Sequence, residues 1–307
     1  MTDKIHFDRI AIIGAGLIGS SVARAIGRAG AASTLVVSDR DADVLDEARE
    51  IGFADAFTPD AGEAAKDADL VIIAVPVGAM AAVGEAIAPN LKEGAIVSDV
   101  GSVKEAVFKA LDPVLPKHTH LIPGHPVAGT EQSGPKAGFA SLFDGRWCII
   151  TPPEGVDKGA LEKLTKLWEA MGSTVEIMTA PHHDLVLAIT SHVPHLIAYN
   201  IVGTASDLEE VTRSEVIKYS AGGFRDFTRI AASDPTMWRD VFLNNKDAVL
   251  EMLGRFSEDL TALQRAIRWG DGDALYDLFS RTRDIRRRII DAGQDEEAAD
   301  FGRHHEE

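Results

Sequence analysis

The stretch RIAIIGAGLIG, from Arg9 to Gly19, decides the fold of the N-terminal half of the chain. An apolar β-branched run leads directly into the pattern G-x-G-x-x-G, which opens a helix, and this context is typical of a dinucleotide-binding βαβ unit. Gly14 is predicted to make the tight turn, Gly16 to let the backbone approach a pyrophosphate, and Gly19 to let helix and strand pack closely. A glycine-rich turn without a ligand is the alternative.

The same alternation of strand and helix continues to about Val100. The apolar runs RIAIIG, TLVVSD, DLVIIAV and AIVSDV are separated by amphipathic segments that end near Ala29, Ile51 and Ala88. This pattern indicates a parallel sheet covered on both faces. HLIPG, RWCIITPP and TVEIM predict further strands, and LEKLTKLWEAMG predicts a helix that Gly172 ends. We therefore predict an α/β, doubly wound Rossmann-type domain over residues 1–180.

The rest of the chain has helical spacing. Apolar residues recur at three- and four-residue steps from Val249 to Ile267 and, after the turn Gly270-Asp271-Gly272, from Leu275 to Ile289. We predict an antiparallel helical hairpin within an all-helical substrate and dimerisation domain over residues 181–295, although a monomeric bundle core would show the same spacing. The acidic segment 296–307 has few apolar residues and is predicted to be a frayed tail.

Composition limits the classes of partner. A formal net charge of −17 argues against nucleic acid and anionic membranes as partners, because both require a positive surface. The sequence is expected to contain no apolar run near the roughly 20 residues that span a bilayer. A strand-like segment begins within ten residues of Met1, which leaves no room for a signal peptide. Cys148, in the apolar run WCII, is expected to pack rather than react, and a cytoplasmic location fits a single cysteine.

The choice of cofactor depends on the end of the second predicted strand. Asp39 lies there, roughly 20 residues after the glycine turn, where a carboxylate bonds the adenosine ribose and favours NAD. Arg40 follows it and can bind a 2′-phosphate, which favours NADP, unless it simply begins the next helix in solvent. NAD and NADP therefore both remain open. The other residues predicted to contact the cofactor are Leu17, Ile18, Val75 and Ser102.

His125 lies between Gly124 and Pro126 in the run HLIPGHPVAGTEQSG, residues 120–134. Glycine permits a close backbone approach, and proline fixes its own φ while driving the preceding residue toward extended geometry. The imidazole is thus expected to point in one direction, as a catalytic base requires. A histidine that only hydrogen-bonds within a loop is the alternative.

Two further residues follow the strand AIVSDV, at the edge of the sheet where ligands of α/β proteins bind. Ser102 is predicted to reach a substrate hydroxyl or His125, and the alternative, an N-cap, is compatible with that role. Lys104 is expected to be a surface lysine. Both lie in the motif DVGSVK, residues 99–104.

The helical half carries two motifs with chemistry. In SHVPH, Ser191 and His195 fall on one helical face, and Pro194 is expected to kink the helix and free carbonyls. We predict no metal, since no cysteine or nearby carboxylate completes a ligand set. In GGFRDFTR, Arg225 and Arg229 share one face, where guanidinium groups suit carboxylate binding; a salt-bridge cluster is the alternative.

The motifs GAGLIG, DVGSVK, GHPVAGTEQSG, SHVPH and GGFRDFTRIAASDPTMW occur in this order over nearly the whole chain. In this respect the sequence resembles the prephenate/arogenate (cyclohexadienyl) dehydrogenase family. The resemblance implies a dinucleotide-binding domain followed by a helical dimerisation domain. It also implies an NAD(P)-dependent oxidative decarboxylation of an anionic cyclohexadienyl substrate, in tyrosine biosynthesis, by a homodimer.

The resemblance also implies roles for individual residues. His125 would accept the proton or hydrogen bond of the ring hydroxyl, Ser102 would support His125 and the nicotinamide, and Arg229 would bind a substrate carboxylate. The remaining implied substrate contacts are Ser191, His195 and Arg225, the last at a position where family members carry lysine. The choice between prephenate and arogenate stays open.

Two other function classes are compatible with a dinucleotide-binding domain. β-Hydroxyacid-type dehydrogenases also place helices after such a domain, but they use a lysine of the helical part as acid or base, where this chain has histidines and arginines. A non-catalytic NAD(P) sensor would bind the cofactor and need neither His125 nor Arg229. Turnover of a cyclohexadienyl substrate discriminates among the three.

Overall fold

The computed structural model describes residues 5–130, 132–212 and 218–291. The chain forms two compact units, which divide between Leu250 and Glu251. The strands are β1 Phe7–Ile13, β2 Ala32–Ser38, β3 Ala56–Thr58, β4 Leu70–Ile73, β5 Ile96–Asp99, β6 His120–Leu121, β7 Gly124–Pro126, β8 Trp147–Ile150 and β9 Thr174–Ile177. The α-helices are α1 Leu17–Ala29, α2 Ala42–Ile51, α3 Ala61–Ala65, α4 Met80–Ile87, α5 Glu105–Leu111, α6 Lys158–Ala170, α7 Ala180–Leu187, α8 Val193–Thr212, α9 Gly222–Thr228, α10 Pro235–Asn244, α11 Lys246–Trp269 and α12 Gly272–Asp291.

The main sheet has six parallel strands in the order β3-β2-β1-β4-β5-β6. Alternate residues of β1 pack into different hydrophobic clusters, Ile10 and Ile12 into one and Ala11 and Ile13 into the other, so both faces of the sheet are covered. Ile13 pairs with Ile73, and Ile73 with Asp99. The register therefore brings the carboxyl ends of β1, β4 and β5 to one edge. The predicted doubly wound α/β fold is confirmed.

The run HLIPG, predicted as one strand, and the two residues that follow it contribute to two sheets. β6 extends the parallel sheet, whereas β7 begins a second sheet of three strands in the order β7-β8-β9. His125 therefore lies on a strand, opposite Ile149 in the antiparallel β7–β8 pair. Gly172, with φ +102°, follows the end of α6 as predicted, and β9 is the last strand among the described residues.

Helices follow β9, as predicted. The helical segment Ala180–Asp207 is 28 residues long and contains an 18-residue stretch with a mean hydropathy of 1.5, which is long and apolar enough to cross a membrane by length and composition. The polar residues Ser191, His192 and His195 interrupt this stretch, so it meets the criterion by average hydropathy and not as an unbroken apolar run. Core helices of water-soluble proteins pass the same test, and this segment carries the buried polar residues His183, Asp184 and His192. We assign it no role in a membrane.

The C-terminal helices α11 and α12 and their short connection occur where the sequence predicts them. Gly270, at φ +68°, ends α11, and its N–H donates to the Ile267 carbonyl. Large apolar side chains are exposed on both helices, among them Leu260, Ile267, Phe279 and Ile285. The sequence-based division of the chain at residue 180 stays a prediction, and the predicted tail 296–307 lies outside the described residues.

Candidate active site

The glycine-rich turn has the geometry that a dinucleotide requires. Gly14 has φ +107°, and a Cβ there would lie 2.3 Å from the Ala74 carbonyl oxygen. A Cβ on Gly19 would overlap the Gly14 carbonyl, whereas one on Gly16 would meet nothing within 4 Å. Two glycines thus serve close packing, and the third faces open space. No side chain among the described residues caps the N-terminus of α1, which begins at Leu17, so its N–H groups can bind a pyrophosphate.

Asp39 follows β2 and hydrogen-bonds to the backbone of the glycine-rich turn. Its Oδ2 atom accepts a hydrogen bond from the Ala15 N–H at 2.8 Å, and its Oδ1 atom accepts one from Asp41 at 3.0 Å. The carboxylate is half-buried, and the Arg40 side chain beside it is exposed. Asp39 is therefore held facing the turn, with lone pairs left for a ribose hydroxyl. Leu17, Ile18 and Val75 are half-buried around the same turn. These residues fit a dinucleotide, and contact with it stays a prediction for each.

Lys104 is fully buried, so the expectation of a surface lysine is wrong. Its Nζ atom lies 2.5 Å from Asp99 Oδ2 and 2.6 Å from the Gly124 carbonyl oxygen. Asp99 also accepts hydrogen bonds from the N–H groups of Gly101 and Gly124. The ammonium is retained inside the protein because a carboxylate and a carbonyl replace its water. This pair ties the loop after β5 to the strand that carries His125.

His125 is held by a second histidine that the sequence reasoning missed. Its Nδ1 atom lies 2.8 Å from Nε2 of His183, and Nδ1 of His183 lies 2.7 Å from Oδ1 of Asp184. The two imidazole rings meet edge to face, with centroids 5.0 Å apart. Asp184 in turn accepts hydrogen bonds from the backbone N–H groups of Lys104 and Glu105 at the start of α5. Helix α7 therefore supplies both the partner of His125 and the group that fixes that partner.

Burial keeps these histidines neutral. It lowers the pKa of the His125 imidazole well below its usual range, and the neighbouring His183 and Lys104 add to this shift. Burial also lowers the pKa of His183, against the opposing effect of Asp184. At neutral pH His125 is therefore an uncharged imidazole that can accept a proton. Cys148 packs opposite Pro126, and burial raises the pKa of its thiol, so the expectation of a packing role agrees with its place.

The motif SHVPH lies close to His125, because the charge of His192 acts on the pKa of His125. A π-helical turn, Ala188–His192, precedes Pro194, and the Ser191 carbonyl accepts a hydrogen bond from Nδ1 of His195 at 2.8 Å. The His195 ring stacks on Trp238 with centroids 3.7 Å apart and an angle of 24° between planes. Trp238 also packs in one hydrophobic cluster with Val103, beside the loop after β5. The structure thus brings Ser191 and His195 together, as the sequence predicts.

His192 occupies a different position from His195. It is fully buried, its Nδ1 atom lies 3.0 Å from the Asn245 side-chain nitrogen, and Asn245 also donates to the Asp184 carbonyl. Burial lowers the pKa of His192 to about 4. His192 is thus a neutral part of the packing that supports Asp184. Among residues 5–130, 132–212 and 218–291, no group of three His, Cys, Asp or Glu side chains is arranged to hold a metal ion.

The two arginines of GGFRDFTR, Arg225 and Arg229, are both exposed. Arg225 lies on α9, and Arg229 begins the 3-10 turn Arg229–Ala232. Burial lowers the pKa of His195, and the charge of Arg229 contributes in the same direction, which places Arg229 within electrostatic reach of His195. The structure therefore places Arg229 near the motif SHVPH.

Ser102 is half-buried in the loop between β5 and α5. The N-cap position of α5 is Lys104, and Asp184 rather than Ser102 receives the first backbone N–H groups of that helix. The N-cap alternative is therefore wrong for Ser102. Within the described ranges no hydrogen bond joins Ser102 to His125, whose ring partner is His183. The role of Ser102 toward substrate and cofactor stays a prediction.

Three comparisons with known proteins agree on the family. Residues 22–177 match the model "Prephenate dehydrogenase, nucleotide-binding domain", and residues 179–281 match "Prephenate dehydrogenase, dimerization domain". The chain belongs to the prephenate dehydrogenase family. It is an oxidoreductase of this family, with a nucleotide-binding domain for NAD(P) and a dimerisation domain. The resemblance stated from the sequence motifs is confirmed.

Individual relatives are similar over most of their length. The chain is 45% identical over 280 residues to the cyclohexadienyl dehydrogenase of Zymomonas mobilis, covering 91% of this chain and 95% of that protein. It is 33% identical to the prephenate dehydrogenase of Bacillus subtilis, covering 91% and 75%. The solved structure of prephenate dehydrogenase from Aquifex aeolicus, in complex with hydroxyphenyl propionate and NAD+, superposes with a TM-score of 0.87 at 32% identity and covers 94% of this chain and 100% of that one.

Proposed function

We propose that this enzyme oxidatively decarboxylates prephenate to 4-hydroxyphenylpyruvate, and arogenate to tyrosine, with NAD or NADP as the hydride acceptor. The observation that carries the proposal is the neutral, buried His125, which contacts His183 and whose neighbour Gly124 hydrogen-bonds to Asp99 at the carboxyl end of β5. The similarity to a cyclohexadienyl dehydrogenase over 95% of that relative supports both substrates. Tyrosine biosynthesis is the pathway that these products imply.

For this reaction the protein must position the substrate against the cofactor and supply one base. When bound, the nicotinamide accepts the hydride that leaves the ring carbon bearing the hydroxyl. His125 receives the hydrogen bond or proton of that hydroxyl, which prevents positive charge from building up on the ring oxygen. The ring carboxylate departs as carbon dioxide, and its bonding electrons complete the aromatic ring. Aromatisation makes the step essentially irreversible.

The substrate is an anion that meets a protein of net charge −17, so local cations must hold it. We propose that Arg229 binds one carboxylate, because a guanidinium offers two parallel donors to a carboxylate. Ser191 and His195 position the ring beside it, and the Nε2 atom of His195 is left to contact the substrate because Nδ1 donates to the Ser191 carbonyl. Arg225 would contact the side chain of the substrate, and Ser102 its ring hydroxyl.

The turn at Asp39 favours NAD without excluding NADP. The carboxylate faces the turn, held by two backbone N–H groups, and can bond a ribose hydroxyl. Arg40 is exposed next to it and supplies a cation for a 2′-phosphate. We therefore propose an enzyme that accepts both cofactors.

The apolar side chains that α11 and α12 expose support a homodimer formed through the helical domain, as the matched dimerization model suggests. We also propose a cytoplasmic location, because the one thiol of the chain is buried and unpaired and no disulfide can form within it. The division into a Rossmann-type domain over residues 1–180 and a helical domain over 181–295 is part of the same proposal.

A four-way assay tests this function. The purified enzyme is given prephenate or arogenate with NAD or NADP, and the absorbance of the reduced cofactor is followed. We expect turnover of both substrates and of both cofactors. An enzyme that binds NAD(P) but turns over neither substrate would contradict the proposal and favour a sensor or another dehydrogenase class.

A further inference from the structure

The Asp184 carboxylate determines where hydrogens lie in the adjoining histidine. Its Oδ1 atom accepts the Lys104 N–H at 2.8 Å, and its Oδ2 atom accepts the Glu105 N–H at 3.0 Å. Backbone N–H groups can only donate, so both oxygens act as acceptors. The His183 Nδ1 atom, 2.7 Å from the same Oδ1, must then carry a hydrogen and donate it. The start of α5 thereby fixes the tautomer of His183.

The tautomer of His183 fixes that of His125 in turn. Burial lowers the pKa of His183, so the ring is neutral and its Nε2 atom has a lone pair. His125 Nδ1 lies 2.8 Å from that lone pair and must therefore donate to it. A neutral imidazole carries one N–H, so the other nitrogen of His125, Nε2, is left with its lone pair.

We propose that His183 and Asp184 are positioning residues that fix His125 in the tautomer protonated on Nδ1, so that its Nε2 atom faces the substrate hydroxyl as acceptor. The proposal rests on the proposed function for the identity of that hydroxyl. It does not depend on the function for the tautomer itself, which is a property of the resting protein. The roles of the two residues differ: His183 contacts His125, whereas Asp184 acts through His183.

The other groups around His125 do not compete for its Nδ1 atom. Lys104, at the start of α5, directs its ammonium to Asp99 of β5 and to the Gly124 carbonyl of β7. His192, in the π-helical turn, is engaged through Nδ1 by Asn245. Cys148 of β8 is a neutral thiol because burial raises its pKa. His183 is thus the ring partner that the described residues provide.

The hydrogen bonds among His125, His183 and Asp184 are also compatible with the state in which His125 holds an extra proton. The hydroxyl proton moves to Nε2, the Nδ1–H bond to His183 remains, and no other proton needs to move. The resulting imidazolium lies one neutral ring away from the Asp184 carboxylate. Charge-assisted hydrogen bonds are about twice as strong as neutral ones, so the contact between His125 and His183 strengthens when the proton arrives.

Two substitutions with matched controls test the role in catalysis. His183→Gln is compared with His182→Gln, because His182 is the exposed neighbour on the same helix. Asp184→Asn, whose amide can donate to His183 and reverse the tautomers, is compared with Asp157→Asn at the cap of α6. We expect each site variant to lower kcat by about 10² to 10⁴ while KM and cofactor binding change by less than ~3-fold. The controls should stay within ~2-fold of wild type in kcat.

Comparing the change in kcat with the changes in KM and cofactor binding distinguishes a positioning role of His183 and Asp184 from a purely structural one. A folded His183→Gln or Asp184→Asn enzyme with kcat within ~3-fold of wild type would overturn the proposal. So would a loss of cofactor binding and thermal stability in proportion to kcat, because that pattern is general damage to the site. If Asp184→Asn does not fold, His183→Gln decides, since it leaves the cap of α5 intact.

The tautomer is tested directly in the wild-type protein, without turnover. Histidine labelled with 15N gives different chemical shifts for protonated and unprotonated ring nitrogens, and the spectrum of His125→Asn assigns the His125 signals. We expect a protonated Nδ1 and an unprotonated Nε2 at pH 7. A His125 protonated on Nε2 would overturn the tautomer proposal, even if the enzyme turns over prephenate. If His125 has the expected tautomer but the enzyme turns over neither substrate, only the proposed function is wrong.

Discussion

Lys104 and Asp99 form an ion pair whose two side chains are fully buried, with Nζ and Oδ2 2.5 Å apart. Burial raises the pKa of Asp99 and lowers that of Lys104, and the contact between them opposes both shifts. The pair bonds to the Gly124 backbone from both sides, through its N–H and its carbonyl. The strand that presents His125 is thus anchored by a buried pair of charges.

Replacing one member of this ion pair should destabilise the protein more than half as much as replacing both, because a single replacement leaves a buried charge without a partner. We expect Lys104→Met and Asp99→Asn each to lower the free energy of unfolding by about 3 to 5 kcal/mol, because each leaves one buried charge without its partner. The double variant should lose less than the sum of the two. Urea denaturation of the four proteins measures the coupling. Additive losses would show that the two groups do not stabilise each other.

The buried histidines should make stability depend on pH. In the unfolded chain histidine takes up a proton near pH 6.5, whereas burial lowers the folded pKa of His192 to about 4 and also lowers those of His125 and His183. The unfolded state therefore binds more protons below pH 6.5, and stability should fall as the pH falls from 6.5 toward 4. Urea denaturation at several pH values measures the slope. His192→Gln should reduce the slope by about one proton, and an unchanged slope would contradict a neutral His192.

The sequence predicts the strands and helices well because their signals are local. The alternation of β-branched runs, the glycine turn and the helical spacing all lie within short windows, and the elements appear where these predict them. The division of HLIPGHP between two sheets was not predicted, since pairing with β8 is a contact between residues distant in sequence.

Some residues of the candidate site were predicted from the sequence, and the others were missed because their positions depend on contacts between residues distant in sequence. His125, Ser191 and His195 were found from proline and glycine neighbours and from helical spacing. Lys104 was misplaced at the surface, because its burial depends on Asp99 and Gly124, which only the fold brings to it. His183 and Asp184 were missed, although the run His182-His183-Asp184 inside a helix was a visible signal. Nothing in the sequence alone distinguishes the exposed His182 from the buried His183.

Arg229 should contribute more to substrate binding than Arg225. An anion held by a partly desolvated ion pair loses about 2 to 5 kcal/mol when one partner is truncated. Arg229→Ala should therefore raise KM by about 30- to 3,000-fold, and Arg229→Lys should recover only part of this, since an ammonium lacks the two-pronged geometry. Steady-state kinetics with prephenate and arogenate measure the effect. Arg49→Ala, which removes a cation paired with Asp46 on α2, is the control.

An unchanged KM in Arg229→Ala would show that other groups bind the carboxylate. Arg225→Ala would then be the next variant. If Arg225→Ala changes KM for only one of the two substrates, Arg225 contacts the substrate side chain, because prephenate and arogenate differ there.

The charges at the end of β2 should set the preference between cofactors. Asp39→Asn keeps an oxygen for the Ala15 N–H but removes the negative charge, so kcat/KM for NADP should improve relative to NAD by about 3- to 10-fold. Arg40→Ala should change the ratio in the opposite direction. The ratio of kcat/KM values for the two cofactors is the measurement. If neither substitution changes it, the adenosine ribose does not bind at the end of β2.

The turnover of His125→Asn tests the proposed chemistry most directly. Asparagine keeps a hydrogen-bonding side chain but cannot take a proton, so kcat for prephenate should fall by about 10² to 10⁴. NAD binding, followed by fluorescence, should stay within ~3-fold of wild type, because the glycine-rich turn is untouched. A folded His125→Asn enzyme with near wild-type kcat would contradict the assignment of His125 as the group that receives the hydroxyl proton.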